Sequence, residues 1–405
     1  MSQQGPLLIV ASAGRPSFAA ALEEAQLFPL IDVDYADAAH AVDEVKPTAV
    51  LVDAPGADDM RLTQLAGKIA ARKPYLPLIA VEPEGPLPEN ALPFASFRGN
   101  FDRLPGRLRA ALRVRALHAT VLRRPSDTSL PDLDPSRDAT VLLIGRGGAY
   151  PALSVALGER AGVVGAFSIE AAANHLASRD IDGIVLGEGF SIRVMAAFLT
   201  VMSEDARFRH LPIVVTSKEL APVYELPNLE IITGEPAHIT ANALPLIRQH
   251  ALEGQLGRTL RAIEARGLLD PQTGLLTQAA FDRDFATAVG HTLSDGGGLS
   301  VARFVFDPQN PRAQLDGGRI ISKLMRKTDF GAVQRDGSVI VVFSDTDLRA
   351  AHGITRRLSA VMRHTTHDRR GARTEPSVTV ATLMPKDTVQ SLLARLHSDA
   401  QRAAS

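Results

Sequence analysis

Three short apolar runs, LLIVAS (7–12), AVLVDA (49–54) and LPLIAV (76–81), are separated by segments with helical spacing such as SFAAALEEAQ and DAAHAVDEV. Continuously apolar strands alternating with helices are the pattern of parallel βαβ units, whose strands are buried on both faces. The series returns as LLIGR (142–146), GIVLGE (183–188) and LPIVVT (211–216), displaced each time by about 134 residues. A repeat of that length predicts two consecutive doubly wound α/β domains of one kind.

With 405 residues the chain has room for one domain more. Residues 1–124 are read as the first domain, ending in the helix-like LPGRLRAALRVRALHATVLRR. PSDTSLPDLDPSRD is a linker at 125–138, marked by its proline, serine and aspartate content. The second domain spans 139–267 and ends in a long helical stretch. Its apolar residues Leu246, Ile247, Leu252, Leu256, Leu260 and Ile263 suit one face of a helix that joins it to a third domain. From 268 to 405 the pattern changes to LSVARFVF, a helix GGRIISKLMRKT, the hairpin-like AVQRDGSVIVVF, a helix AAHGITRRLSAVMRH and the strand SVTVATLM. Asp336-Gly337 between apolar residues is a hairpin signal, so this last domain is α+β.

Composition removes several function classes. The chain has no cysteine, which excludes disulfides, thiolate metal sites and a cysteine nucleophile. A net charge of -1, no tryptophan and 5% aromatic residues argue against a nucleic-acid polymer as partner. The last domain is the exception, with 18 Lys and Arg against 14 Asp and Glu, and so suits an anionic ligand. No basic segment precedes the first short apolar run, and no apolar stretch approaches the roughly 18 residues of a bilayer span, so a cytoplasmic location is expected.

The two repeats resemble receiver domains of response regulators, which have a flavodoxin-like fold. In that family an aspartate ending the third strand accepts a phosphoryl group beside magnesium held by acids after the first strand. Asp53 stands at the acceptor position, as a possible phosphoacceptor. Ala11, Ser12 and Ala13 replace the acids, Val81 and Glu82 replace the hydroxyl after the fourth strand, and no lysine follows ALPFASF. Without clustered carboxylates Mg²⁺ has no oxygen cage, which favours reading Asp53 as a strand-end aspartate on a binding face. In the second repeat Gly187 and Glu188 take the corresponding positions, and Thr216 and Lys218 have no acyl phosphate to bind. That domain is read as a structural or dimerisation adaptor.

LLDPQTGLLTQAAFDRDF (268–285) resembles the opening of a GGDEF domain, the diguanylate cyclase family. That family's motif D-x-L-T-G-L is followed by a phenylalanine in the first helix. Asp270, Thr273, Gly274, Leu275 and Phe281 fit, and Gln272 replaces the leucine. The resemblance implies a nucleotidyl-cyclase-like fold, and two receivers followed by GGDEF form a known arrangement. The family's signature hairpin reads Arg335-Asp336-Gly337-Ser338-Val339 in this chain. Its glycines have become Arg and Asp, and its metal-binding and catalytic acids Gly and Ser. Asp307 matches the family's first-strand metal aspartate, but a lone carboxylate is a poor Mg²⁺ site. The segment after Asp307 is about a dozen residues short of the family pattern. No catalytic residue, metal or cofactor is expected.

Upstream of the hairpin, Arg326-Lys327-Thr328-Asp329 matches the R-x-x-D motif with which many GGDEF domains bind their product, cyclic di-GMP. An arginine fork suits phosphate oxygens or guanine O6 and N7, and an aspartate accepts from guanine N1 and N2 hydrogens. Arg357, with Arg356 as the adjacent candidate, matches the family's assisting arginine. The competing reading is a surface i,i+3 ion pair worth a few tenths of a kcal/mol. R-x-x-D also occurs at Arg124 to Asp127 and at Arg179 to Asp182, so position rather than pattern carries the match. GRGGAY (145–150) is read as a plain strand-to-helix turn, and HTTHDRRGAR (364–373) as a solvated loop.

The function expected is that of a non-catalytic cyclic di-GMP effector and protein-interaction adaptor. The alternatives are a working diguanylate cyclase and a scaffold that binds no nucleotide. The resemblance further implies a homodimer, protein partners in cell-cycle-regulated proteolysis such as protease-delivery factors, and a localisation factor at a cell pole, with Asp53 and the first domain governing localisation.

Overall fold

Each series of apolar runs forms a parallel sheet buried on both faces. The computed structural model describes residues 5–404 except 13, 26–27, 55–58, 124–134, 218, 221–223, 296–297, 327, 364 and 367–374. Ala13, Lys218, Lys327, most of the expected linker, the Arg124 to Asp127 match and most of HTTHDRRGAR lie outside the described residues.

The first unit runs β1 (Leu7–Val10), α1 (Phe18–Glu24), β2 (Leu30–Val33), α2 (Ala38–Val45), β3 (Ala49–Asp53), α3 (Asp59–Ala70), β4 (Leu78–Val81), β5 (Ala91–Phe94) and α4 (Leu104–Arg123). Its strand order is β2-β1-β3-β4-β5, all parallel. Alternate residues of each strand feed two cores. Leu8, Val10, Val50 and Val52 meet Val42, Leu62 and Leu65 on one face, while Leu7, Ile9 and Leu51 meet Phe18, Leu104 and Leu108 on the other. Each such side chain contributes about 1.5–3 kcal/mol on burial, so the runs must be apolar at every position.

The second unit repeats the order. It runs β6 (Thr140–Ile144), α5 (Tyr150–Gly158), β7 (Gly162–Ala166), α6 (Ile169–Ser178), β8 (Gly183–Leu186), α7 (Ile192–Glu204), β9 (Ile213–Val215), β10 (Leu229–Ile231) and α8 (Pro236–Glu264), with β7-β6-β8-β9-β10 as neighbours. The third unit contains α9 (Gln278–Asp295), β11 (Leu299–Val305), α10 (Pro311–Leu324), β12 (Phe330–Val333), β13 (Val339–Ser344), α11 (Leu348–Met362), β14 (Thr365–Thr366), β15 (Ser377–Thr382) and α12 (Val389–Ala404). Four of its strands form an antiparallel sheet in the order β12-β13-β11-β15. β14 instead pairs antiparallel with β7, Thr365 opposite Val164, and becomes the sixth strand of the second sheet.

α8 does more than join the second unit to the third. Leu246 belongs to the first unit's core and Ile247 to the second's, and Leu252, Leu256, Leu260 and Ile263 pack against Val114 and Val121 of α4. A helix turns 100° per residue, so consecutive positions can serve different neighbours.

Buried arginines mark both seams. Arg107 on α4 is 0% exposed and Glu230 on β10 is 2% exposed. Arg107 donates to Glu230 Oε1 at 2.6 Å, to Pro227 O at 2.7 Å and to Pro93 O at 2.5 Å, and Arg103 adds a bond to Leu229 O at 2.7 Å. Burial pushes the Glu230 carboxyl up and the Arg107 guanidinium down from their ordinary values, and their mutual attraction opposes both shifts. Between the second and third units, the fully buried Arg179 lies 3.5 Å from Asp316 on α10 and donates to the Val361 carbonyl on α11. Lys323 on α10 donates to Arg179 O at 2.6 Å and stands 3.3 Å from Asp180. The Arg179 to Asp182 stretch, which fits R-x-x-D by pattern alone, sits in the contact between the second and third units.

Replacing Arg107 by Ala should lower the unfolding free energy of the first two units by about 3–5 kcal/mol, because Glu230 is then buried without its partner. Arg107→Met combined with Glu230→Leu should recover most of that loss. Urea denaturation of the three chains compares them, and a loss under about 1 kcal/mol for Arg107→Ala would contradict the assignment.

Candidate functional site

The DPQTGLL stretch forms a closed turn in which each polar residue has a task. Asp270 accepts the Gln272 N–H at 2.6 Å, Thr273 Oγ1 accepts the Leu275 N–H at 3.3 Å, and Asp270 N–H donates to Leu275 O at 2.8 Å. Gly274 sits at φ +77°, where a side chain would be strained. Leu275 enters the core formed by Phe304, Ile320 and Phe343, and Phe281 the one formed by Phe285 and Val342. The turn seats α10, since a Cβ at Gly318 would stand 2.9 Å from Thr273 Cγ2.

α10 places the R-x-x-D motif. Asn310 caps its N-terminus through the Ala313 N–H at 3.1 Å, Pro311 occupies the first turn, and the helix ends at Met325 in extended backbone. Arg326 and Asp329 therefore lie beyond the helix, with Asp329 N–H donating to Arg326 O at 3.1 Å. The Arg326 side chain is exposed and, among the described residues, makes no hydrogen bond or ion pair. Asp329 is 8% exposed and accepts the Ser344 N–H at 3.3 Å from β13. Burial raises its pKa, and the Ser344 N–H and the Arg326 charge partly offset the rise. The surface ion pair of the competing reading is not formed.

Arg356 and Arg357 lie on the exposed side of α11, whose Ala351, Thr355, Leu358, Ser359 and Met362 face inward. Arg356 lines a groove of about 270 Å³ against β15, with His352, Arg363 and Glu375. Neither Arg357, Arg326 nor Asp329 lines that groove.

The Arg335 to Val339 segment is a tight turn tied to β11. Gln334 and Ser338 close it (N···O 2.7 Å), and Gly337 N–H donates to Gln334 O at 2.9 Å. Only Gly337 has positive φ, at +78°, so this is a three-residue type I loop with a bulge, not the two-residue loop that Asp-Gly usually signals. Arg335 takes the first turn position. Asp336 accepts from Ser338 N at 3.0 Å, from Ser338 Oγ at 2.6 Å and from Arg303 Nη2 at 2.5 Å, and Val339 enters the core. Partial burial works against it, but the Ser338 bonds and the Arg303 charge hold Asp336 below the usual carboxylate value. Arg303 was readable as the one charged residue in LSVARFVF. Asp307 is exposed, and its carboxylate accepts the Gln309 N–H at 2.9 Å. Among the described residues no three His, Asp or Glu side chains are grouped to hold a metal ion.

Asp53 ends β3, half-buried, with its carbonyl accepting the Tyr35 hydroxyl at 2.8 Å. Burial and the neighbouring Glu82 raise its pKa. Glu82, at φ +54°, also accepts the Ser96 N–H at 2.5 Å. Ala11 and Ser12 follow β1 as expected. In the second unit Glu188 O accepts the Arg146 and Gly147 N–H groups at 2.9 and 3.2 Å, and a Cβ at Gly147 would stand 2.6 Å from Glu188 Cβ. GRGGAY is thus a close-packed turn leading into α5. Among the described residues no helix is long and apolar enough to cross a membrane.

No protein-family model and no curated protein matches the sequence. Solved structures that match over about a third of the chain are GGDEF domains. The GGDEF domain and coiled coil of DgcB from Caulobacter crescentus, in complex with c-di-GMP, is 14% identical, covers 36% of this chain and 84% of its own, and has a TM-score of 0.32. The GGDEF domain of FimX from Pseudomonas aeruginosa is 20% identical, covering 34% of this chain and 93% of its own with a TM-score of 0.31. Diguanylate cyclase SiaD from Pseudomonas aeruginosa, in complex with its activator SiaC, is 17% identical, covering 37% and 64% with a TM-score of 0.32.

Gly337→Ala should destabilise the third unit by about 1–2 kcal/mol, since the new Cβ meets both positive φ and the Gln314 side chain. Thermal unfolding measures the loss, and an unchanged midpoint would contradict this turn geometry.

Proposed function

We propose that the chain is a non-catalytic cyclic di-GMP effector in which Arg326 and Asp329 hold the ligand, and the two receiver-like units ahead serve as an adaptor for protein partners. The observation that carries this reading is the juxtaposition of an exposed guanidinium, uncommitted among the described residues, with the buried carboxylate of Asp329 close to the signature hairpin. An arginine that spends no donor on the protein keeps its whole fork for phosphate or for a guanine edge. A carboxylate anchored by the Ser344 N–H and further held by its Arg326 and Thr328 neighbours is fixed in place to accept from guanine N1 and N2 hydrogens.

Against a working cyclase stand the residues at the signature. The position of a family glycine is held by Asp336, whose carboxylate is neutralised by Arg303 and turned into the hairpin, and the family's acids are replaced by Gly337 and Ser338. Magnesium and a triphosphate would be left with Asp307 alone.

Titration calorimetry of the full chain with cyclic di-GMP tests the reading. Binding is expected, weakened about thirtyfold or more by Arg326→Ala, which corresponds to the 2–5 kcal/mol typical of one partner lost from a desolvated charged contact. No heat, or binding unchanged in the variant, would favour the nucleotide-free scaffold. Incubation with GTP and Mg²⁺ separates the remaining alternative, because cyclic di-GMP made above an Asp307→Ala control would establish a cyclase.

The pH dependence has a defined sign. Asp329 can accept from both guanine N1 and N2 hydrogens when ionised but loses one acceptor oxygen on protonation, so affinity should fall as the pH is lowered toward its raised pKa. Its effect on stability runs the other way. A carboxyl with raised folded pKa favours the folded state below the unfolded value, and loses that advantage as the pH rises through the folded one. Calorimetry at several pH values reads the first effect, and an affinity that rises on acidification would contradict the role of Asp329.

A further inference from the structure

A cavity of about 280 Å³ lies where α8, the 269–274 turn and α10 meet. Four cations line it, Arg258 and Arg261 from α8 and Arg319 and Lys323 from α10, against the two carboxylates of Asp180 and Asp270. Most of these have partners. Lys323 is 3.3 Å from Asp180, Arg319 donates to Gln272 O at 2.9 Å and lies 3.4 Å from Asp138, and Asp270 is engaged in its own turn.

Arg258 is different. Its side chain is only 10% exposed, its nearest carboxylate oxygen is 3.9 Å away on Asp180, and its buried Nε has no hydrogen-bond partner. Burial first, and the neighbouring Arg319 second, push its pKa down to about 10 despite Asp180, Asp182 and Asp138. A guanidinium so placed carries desolvation without full compensation, a cost that a bound anion would remove. Arg261 stands exposed at the rim, its Nε bonded only to Gly257 O of its own helix at 3.4 Å. Gly274 leaves the wall open beside the Ser322 hydroxyl, which a Cβ there would approach to 3.1 Å.

We propose that this cavity is an anion site that takes a phosphate or pyrophosphate group, free or as the phosphates of a nucleotide, with Arg258, Arg261 and Lys323 as its cations and Ser322 as a hydroxyl donor. The volume of about 280 Å³ has room for the phosphates. Because the ligands come from α8 on one side and the third unit on the other, the anion ties the third unit to the helix shared by the first two. This goes beyond the cyclic di-GMP reading, and its test uses no cyclic di-GMP, so the two can fail separately.

The full chain is titrated with inorganic phosphate, pyrophosphate and GTP, following phosphorus NMR line width and the thermal midpoint. Saturable binding at one site per chain is expected, weakened at least tenfold by Arg258→Gln and by the surface variant Arg261→Glu, whose fold is not at risk. Binding of phosphate or pyrophosphate assigns a free anion. Binding of GTP alone, lost in Arg261→Glu, assigns a nucleotide's phosphates. Absence of saturable binding for all three, or binding unaltered in Arg261→Glu, overturns the proposal.

Discussion

Arg107 and Arg179 set the angles at which the three units meet, and the reason is directional. An apolar interface tolerates sliding, because its energy follows buried area and not orientation. A buried guanidinium does not, since each N–H that loses its acceptor costs about 1–3 kcal/mol or more for a charged group. Arg107 satisfies itself with Pro93 O from its own unit and with Pro227 O and Glu230 from the next, so any rotation between the two breaks several bonds together. Arg179 links α6 to the third unit through Asp316 at 3.5 Å and the Val361 carbonyl. Such pairs add little net stability compared with apolar packing, but they specify one arrangement against its neighbours.

α8 makes that specification continuous. Its N-terminal half contributes Leu246 to one core and Ile247 to another, and its C-terminal half lies along α4, where Arg113 and Glu253 form two parallel bonds of 2.9 and 3.0 Å. The first two units are therefore one framework with a shared helix. The third is attached to it by the end of α8, by Arg179 and Lys323, and by the two-residue strand β14 at the edge of the second sheet.

The parts legible in the sequence are those where one physical signal dominates. Strands β1, β3, β4, β6, β8 and β9 announce themselves by unbroken apolar residues, because burial on both faces leaves no room for alternation. β2 and β10 escaped notice since each carries an acid, Asp32 and Glu230, and β7 since GVVGA is short and glycine-rich. Arg107 had a readable signal: it falls among Leu104, Leu108 and Ala111, inside an apolar stripe at helical spacing. An arginine there must find acceptors, but the sequence cannot say that Pro227 O and Glu230, about 120 residues away, supply them alongside Pro93 O. Gly337 announces a turn, while the loop length depends on Ser338 closing onto Gln334 and on Arg303 across the sheet. Arg326 and Asp329 are placed by local features, the end of α10 and the start of β12. Their contrasting exposure comes from β13 and could not be read from a tetrapeptide.

The attachment of the third unit bears on how a ligand there could act on the rest. A ligand shifts an equilibrium between domain arrangements only by its difference in affinity for them. Moving a population from 1:99 to 99:1 requires about 5.5 kcal/mol of such difference, and freeing one buried arginine from its partners costs about 3–5 kcal/mol. The seam at Arg107 is reinforced by Arg103, Arg113 and the shared helix, so a single ligand does not supply enough to open it. Among the described residues, the seam at Arg179 is held by Arg179, Lys323 and Arg319 and by two strand residues, beside a cavity lined by Arg258 and Arg261. A phosphate held by Arg258 and Arg261 on one side of that seam and Lys323 on the other would add contacts across it. A ligand at the proposed cavity would act at the boundary between the second and third units, where α8 meets α10.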